Sequence, residues 1–219
     1  MPEIVLTGHA GRIEAKYHHS HDQKAPLAIV LHPNPLQGGT MNNRVTVAIY
    51  NAFVKNGFSV IRFNFRGVGK SEGSHDKGDG ELTDTAAVMD WIQSINPGAR
   101  QLWVGGFSFG SLIGMQLLMR RPEISSFVAI CPPANLYDFT FLAPCPVSGM
   151  IINGRNDLVC PVSSVNKLVD RLNGQKGISI DYRILADCDH SFHDHMNVIQ
   201  DYISEYIETK NSIKSAASS

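Results

Sequence analysis

The stretch "QLWVGGFSFGSLIGMQLLMR", residues 101–120, changes character at one residue. Up to Ser108 it reads as a short buried strand; beyond it, "FGSLIGMQLLMR" has helical spacing and stops at Pro122. Ser108 stands between Gly106 and Gly110, a G-x-S-x-G pattern. Chance supplies that pattern roughly 0.1 times in a chain of this length, so the pattern alone decides little. Its flanks decide more. A nucleophile presented on a sharp strand-to-helix turn needs small neighbours, because the two backbones approach closely there. The first helical N–H groups point at the hydroxyl, and the positive helix end favours an anion beside it. The competing reading is that the glycines merely ease a tight turn.

The alternation continues in both directions. Apolar runs at 26–32, 58–65, 126–132, 147–154 and 178–185 read as buried strands bounded by Gly or Pro. Between them "NNRVTVAIYNAFVKNG", "ELTDTAAVMDWIQSINPG" and "PVSSVNKLVDRLNG" read as helices, each closed by glycine. This order predicts an α/β fold, with a mostly parallel central sheet of about eight strands and helices on both faces. Residues 2–22 predict an added antiparallel hairpin that turns at Gly8 to Gly11. Residues 191–209 predict a last helix with Phe192, Met196, Ile199, Ile203 and Ile207 on one face. One domain, 1–209, is expected, followed by a polar, disordered tail at 210–219.

Composition narrows the function classes. Of 219 residues 43% are hydrophobic and 18% charged, which is ordinary for a globular chain. Nineteen Lys and Arg against twenty Asp and Glu give a net charge of -1, and with it no electrostatic case for nucleic acid or a membrane surface. Cys131, Cys145, Cys160 and Cys188 are widely spaced and form no C-x-x-C pair, so free thiols in a reducing compartment are expected. No signal-like segment opens the chain and no run reaches transmembrane length, which predicts a soluble, cytoplasmic protein. A homodimer is the base-rate expectation.

A serine hydroxyl is a poor nucleophile without a histidine base that a carboxylate orients. In a parallel sheet those partners belong at the carboxyl ends of later strands. Asp157, in "GRNDLVCP", follows the 147–154 run, and His190, in "DCDHSF", follows the 178–185 run. One helix and one strand fit between them, which returns both residues to the same sheet edge. Here the chain resembles the α/β-hydrolase superfamily, from residue 26 to 205. "GFSFG", "NGRNDLVCP", "DCDHSF" and "FNFRGVGKSEG" carry the likeness, and "HPNPLQGGTMNNRV" is similar to the HPxPxxGGTMxN signature of a subgroup of small bacterial hydrolases, esterase-like and dienelactone-hydrolase-like. The resemblance implies that Ser108, Asp157 and His190 are nucleophile, acid and base.

An oxyanion hole takes one N–H from the residue after the nucleophile, Phe109, and another from the loop after the first parallel strand. Pro33 and Pro35 have no N–H to give, so Asn34 is the preferred second donor, with Leu36 the weaker option. The cap domain usual in the superfamily would follow the 126–132 run, where residues 133–146 are too few for a lid. An open site is therefore expected, with Leu36, Tyr137, Phe139 and Phe141 as candidate walls, although the aromatics could equally be core. Such a site suits a small-molecule acyl substrate, an ester or thioester, and leaves a peptide, a lactone or a non-catalytic scaffold as alternatives.

Two other motifs carry less. "RGVGKS" lacks the glycine of a phosphate-binding loop, since Asn64 stands where that glycine belongs, and Arg66 reads as structural. Cys188, His190, His193 and His195 could suggest a metal, yet their spacing fits no zinc motif, so neither metal nor cofactor is expected. Cys160 reads as buried packing and His18, His19 and His21 as a strand end.

Overall fold

The computed structural model describes residues 3–217, with side chains to 213. Among the described residues, eight strands form one sheet: β1 (Glu3–Gly8), β2 (Gly11–His18), β3 (Leu27–Leu31), β4 (Ser59–Phe63), β5 (Leu102–Phe107), β6 (Ile124–Ile130), β7 (Gly149–Gly154) and β8 (Ile180–Leu185). Their spatial order is β1-β2-β4-β3-β5-β6-β7-β8. The hairpin β1–β2 is antiparallel, as its alternation predicts, and β2 docks antiparallel on β4; every other pairing is parallel.

Period-two alternation sorts the core into two layers. On β3, Leu27, Ile29 and Leu31 face one layer while Ala28 and Val30 face the other. The first layer is covered by α2 (Asp79–Ser94), α3 (Phe109–Leu118) and α4 (Val162–Asn173). The second is covered by α1 (Arg44–Lys55) and α5 (Met196–Ala217), where Ile49, Phe53, Ile199 and Ile203 pack on Trp103 and Val128. Each crossover between parallel strands thus returns the chain to the same edge, and all parallel strands end on one side.

Residues 133–146 hold only a short 3-10 turn at Thr140–Leu142, so no cap covers that edge. The last helix departs from expectation at both ends. It begins at Met196, because Phe192 takes a left-handed φ of 54° and turns the chain before the helix can start. It also continues to Ala217 through most of the tail expected to be disordered. No Gly or Pro interrupts "TKNSIKSAA", and the Thr209 and Ser212 hydroxyls donate back to Glu205 O (2.9 Å) and Glu208 O (3.0 Å). Residues 218–219 lie outside the described residues.

Candidate active site

Ser108 sits between β5 and α3 with φ 53° and ψ -118°. A non-glycine residue with positive φ is costly, and here surrounding bonds hold it. The Ser108 N–H donates to Ile130 O (2.8 Å), while its carbonyl accepts from Ser111 N (2.9 Å) and Ser111 Oγ (2.6 Å). The two glycines of the motif are sterically required. A Cβ on Gly106 would lie 2.4 Å from Gly110 O, and one on Gly110 would lie 2.4 Å from Leu31 O.

Asp157 and His190 converge on the same edge. His190 Nδ1–H donates to Asp157 Oδ2 at 2.8 Å. The other oxygen, Oδ1, accepts from the Val159 N–H (2.8 Å) and the Cys160 N–H (2.7 Å), which fold the loop after β7 around the carboxylate. Burial pushes the Asp157 pKa up, but hydrogen bonds from His190, from the Cys131 thiol and from the Cys160 N–H outweigh it and hold the carboxyl below its ordinary value. An ionised Asp157 fixes the proton on His190 Nδ1, leaving Nε2 as the basic nitrogen. Phe107 packs against the His190 ring, centroids 4.9 Å apart and the ring planes tilted by 32°.

Ser108 and His190 line one open cleft of about 530 Å3, together with Asn34, Arg44, Leu158 and Val159. The residues expected from sequence divide here. Phe109 is the first residue of α3, so its N–H has no intrahelical acceptor. Its side chain turns inward, against Phe65 (ring centroids 5.8 Å) and beside His75 and Tyr137. Asn34 stands at the cleft wall; its carbonyl accepts from Gln37 and Gly39, and its side chain accepts from Leu36 N (2.9 Å). That last bond commits the Leu36 N–H, which removes Leu36 as the second oxyanion donor and leaves its side chain 73% exposed, outside the cleft.

The candidate aromatic walls are corrected. Phe139 is buried and stacks on Phe141 (5.6 Å) in the layer under α3 and α4, and Tyr137 packs near Phe109 rather than in the cleft. The apolar wall is instead Leu158, 91% exposed, with Val159, both in the Asp157 loop. "DLVC" carries that signal, two apolar residues exposed by the turn that wraps the carboxylate.

Three contributions were not read from sequence. His32, fully buried at the end of β3, donates from Nδ1 to Pro33 O (2.7 Å) and accepts at Nε2 from Phe65 N–H (3.0 Å), so it anchors the Asn34 loop. Arg44, in the first turn of α1, donates to His193 O (3.1 Å) and His193 Nδ1 (3.0 Å) and braces the loop carrying His190. Cys131, at the end of β6 with φ 48°, hydrogen-bonds Asp157; burial and that carboxylate push its thiol well above its ordinary value.

Arg66 donates to both Asp84 oxygens (2.8 and 2.9 Å) and braces the turn after β4 against α2. All four cysteines are free and buried, and burial pushes Cys160 up to about 12. Among the described residues the His, Cys, Asp and Glu ligand atoms that gather within 4.8 Å are those of Cys131, Asp157 and His190, not Cys188, His193 and His195. No helix among the described residues is long and apolar enough to cross a membrane.

Known proteins share this architecture. The sequence profile of the alpha/beta hydrolase fold matches residues 36–146, half of the chain. An uncharacterized protein of Rickettsia prowazekii is 47% identical over 213 residues, spanning 95% of this chain and 90% of its own. A crystal structure from Agrobacterium tumefaciens, a protein of unknown function provisionally assigned to the alpha/beta hydrolases, superposes with a TM-score of 0.93 at 48% identity, covering 96% of this chain and 97% of that one. A Xanthomonas campestris serine hydrolase described as lacking a lid superposes at 0.85 with 29% identity, covering 95% and 94%. The profile, the fold and relatives that match nearly the whole chain show that the chain belongs to the α/β hydrolase family, as a small member without a cap domain.

Proposed function

We propose that the protein is a serine hydrolase that cleaves small esters, thioesters or related acyl bonds through Ser108, His190 and Asp157. One joint observation carries the reading: a serine held at φ 53° on the elbow shares its cleft with a histidine bonded at 2.8 Å to a buried carboxylate. Neither feature helps a purely structural protein, and positive φ at a serine costs on the order of 1–3 kcal/mol.

His190 Nε2 takes the hydroxyl proton as Ser108 Oγ bonds to the acyl carbon. The carbonyl oxygen becomes an oxyanion facing the Phe109 and Asn34 N–H groups. Collapse breaks the bond to the alcohol or thiol, which leaves with the proton from His190. Water then gives its proton to His190 and its oxygen to the acyl carbon, and Ser108 departs reprotonated as the acid is released. Asp157 stabilises the imidazolium at each stage and keeps the ring in the required tautomer. The uncapped cleft suits a short acyl group lying on Leu158 and Val159.

A fluorophosphonate probe tests the assignment. Ser108 is expected to label in the native protein, and labelling is expected to vanish in Ser108→Ala and to collapse in His190→Ala. An unlabelled native protein, beside a known serine hydrolase that labels, points instead to a non-catalytic binding protein. An ester, thioester, lactone and peptide panel then ranks the substrates.

A further inference from the structure

We infer that Arg44 selects acyl substrates that end in a carboxylate. This deepens the Ser108 reading and rests on it, since Arg44 bears on a reaction only if that serine performs one. Arg44 lines the same cleft as Ser108 and His190. Its guanidinium is held in a fixed orientation by His193, Nη2 on the carbonyl and Nη1 on the ring nitrogen. Both acceptors are uncharged oxygen or nitrogen atoms, and no carboxylate lies within ion-pair distance of Arg44 among the described residues. Arg66, Arg121 and Arg183, by contrast, are each paired with acids.

Two of the five guanidinium N–H groups are used by His193, which leaves three for a ligand. A planar, oriented fork of this kind matches a carboxylate. Asp189, the acid that shares the cleft, is tied into its own turn by the Ser191 N–H (2.8 Å) and hydroxyl. It discourages an anion on the His190 side and leaves Arg44 as the place where one is welcome. One unpaired cation balances a monoanion, whereas a phosphate dianion would exceed it. Leu158 and Val159 line the same cleft and can take the methylenes between the two ends.

The experiment compares p-nitrophenyl butyrate with p-nitrophenyl hemisuccinate, and the pentanoate with the hemiglutarate, so that each pair differs by a terminal methyl against a carboxylate. Ser108→Ala supplies the blank, because a neighbouring carboxylate speeds spontaneous hydrolysis. The expected result is a kcat/KM at least about tenfold higher for the anionic member of one pair, shrinking between 0.05 and 0.5 M NaCl (~10-fold change in ionic strength). Arg44→Met is expected to erase the ratio and Arg44→Lys to keep part of it, which separates charge from the brace to His193. The inference is overturned if the parent prefers the neutral ester in both pairs, or if Arg44→Met lowers both members equally. Failure to turn over any ester, with Ser108 unlabelled by fluorophosphonate, overturns the hydrolase reading beneath it as well.

Discussion

At the scale of single residues, Asp157 shows how a buried acid can stay charged. Desolvation works against the carboxylate, and it is offset by four donors: His190 Nδ1–H, two backbone N–H groups and the Cys131 thiol. Asp157→Asn keeps the shape, and Oδ1 can still accept from the loop, but its amide cannot serve as acceptor toward His190 Nδ1–H on the other side. The ring is then free to turn to the other tautomer, with Nε2 carrying the proton and unable to act as base. Steady-state assays of that variant are expected to show kcat lowered on the order of 10³- to 10⁴-fold with KM little changed. A loss under tenfold would mean that Asp157 is not the orienting acid. That Ser108, Asp157 and His190 meet at one edge was legible in the sequence, because each follows an apolar run and strand ends in a parallel sheet share one edge. His32, Arg44 and Cys131 were not, because their roles depend on contacts with Phe65, His193 and Asp157, which are 33, 149 and 26 positions away.

At the scale of elements, the site is a meeting of loops with tight steric limits. Gly110 lets α3 start directly against the end of β3: an added Cβ would lie 2.4 Å from Leu31 O and 2.6 Å from His32 O, both backbone atoms that cannot swing aside. One turn on, an added Cβ at Gly114 meets only Val104 and Leu31 side-chain carbons, at 3.2 and 3.6 Å. Urea unfolding is therefore expected to place Gly110→Ala about 1–3 kcal/mol below the parent and Gly114→Ala within about 1 kcal/mol of it. Equal losses would show that the approach of α3 to β3 is not what limits the elbow. The loop after β7 offers the complementary case, since Leu158 contributes almost nothing to the core. Leu158→Ser is expected to leave stability within about 0.5 kcal/mol while lowering kcat/KM for hexanoyl over acetyl esters several-fold. A chain-length profile identical to the parent's would remove Leu158 from the acyl site. Strand and helix order was legible because period-two and helical spacing are local properties. The start of α5 was not, because the positive φ of Phe192 is imposed by the loop that carries His190. Nor were the walls of the cleft, because aromatic residues in an irregular segment such as 133–146 give no periodicity that separates core from surface.

At the scale of the whole molecule, the loop that carries Asn34 links the site to global stability through His32. Burial pushes its pKa down from 6.5 to about 4, only partly opposed by the bond to Pro33 O. The neutral ring is the form the fold needs: Nδ1 must donate to Pro33 while Nε2 accepts from Phe65, and a proton on Nε2 would break the second bond. In the unfolded chain His32 titrates near its ordinary value, so between roughly pH 6.5 and 4 the unfolded state binds a proton that the folded state refuses. The contribution is fully present above that window and is lost as pH falls, by about 3 kcal/mol across it and about 2 kcal/mol by pH 5. Asp157 acts in the same direction but lower, because its depressed carboxyl stabilises the fold above the ordinary carboxylate range and loses that effect only as pH falls through it. Urea unfolding at pH 7 and pH 5 is expected to record the His32 loss, and a less stable His32→Asn variant is expected to show a flatter slope over the same interval. Should that variant fail to fold, ring-proton NMR of the parent decides: a His32 signal that titrates near 6.5 in the folded protein would exclude this linkage, and one that stays neutral to below pH 5 would establish it.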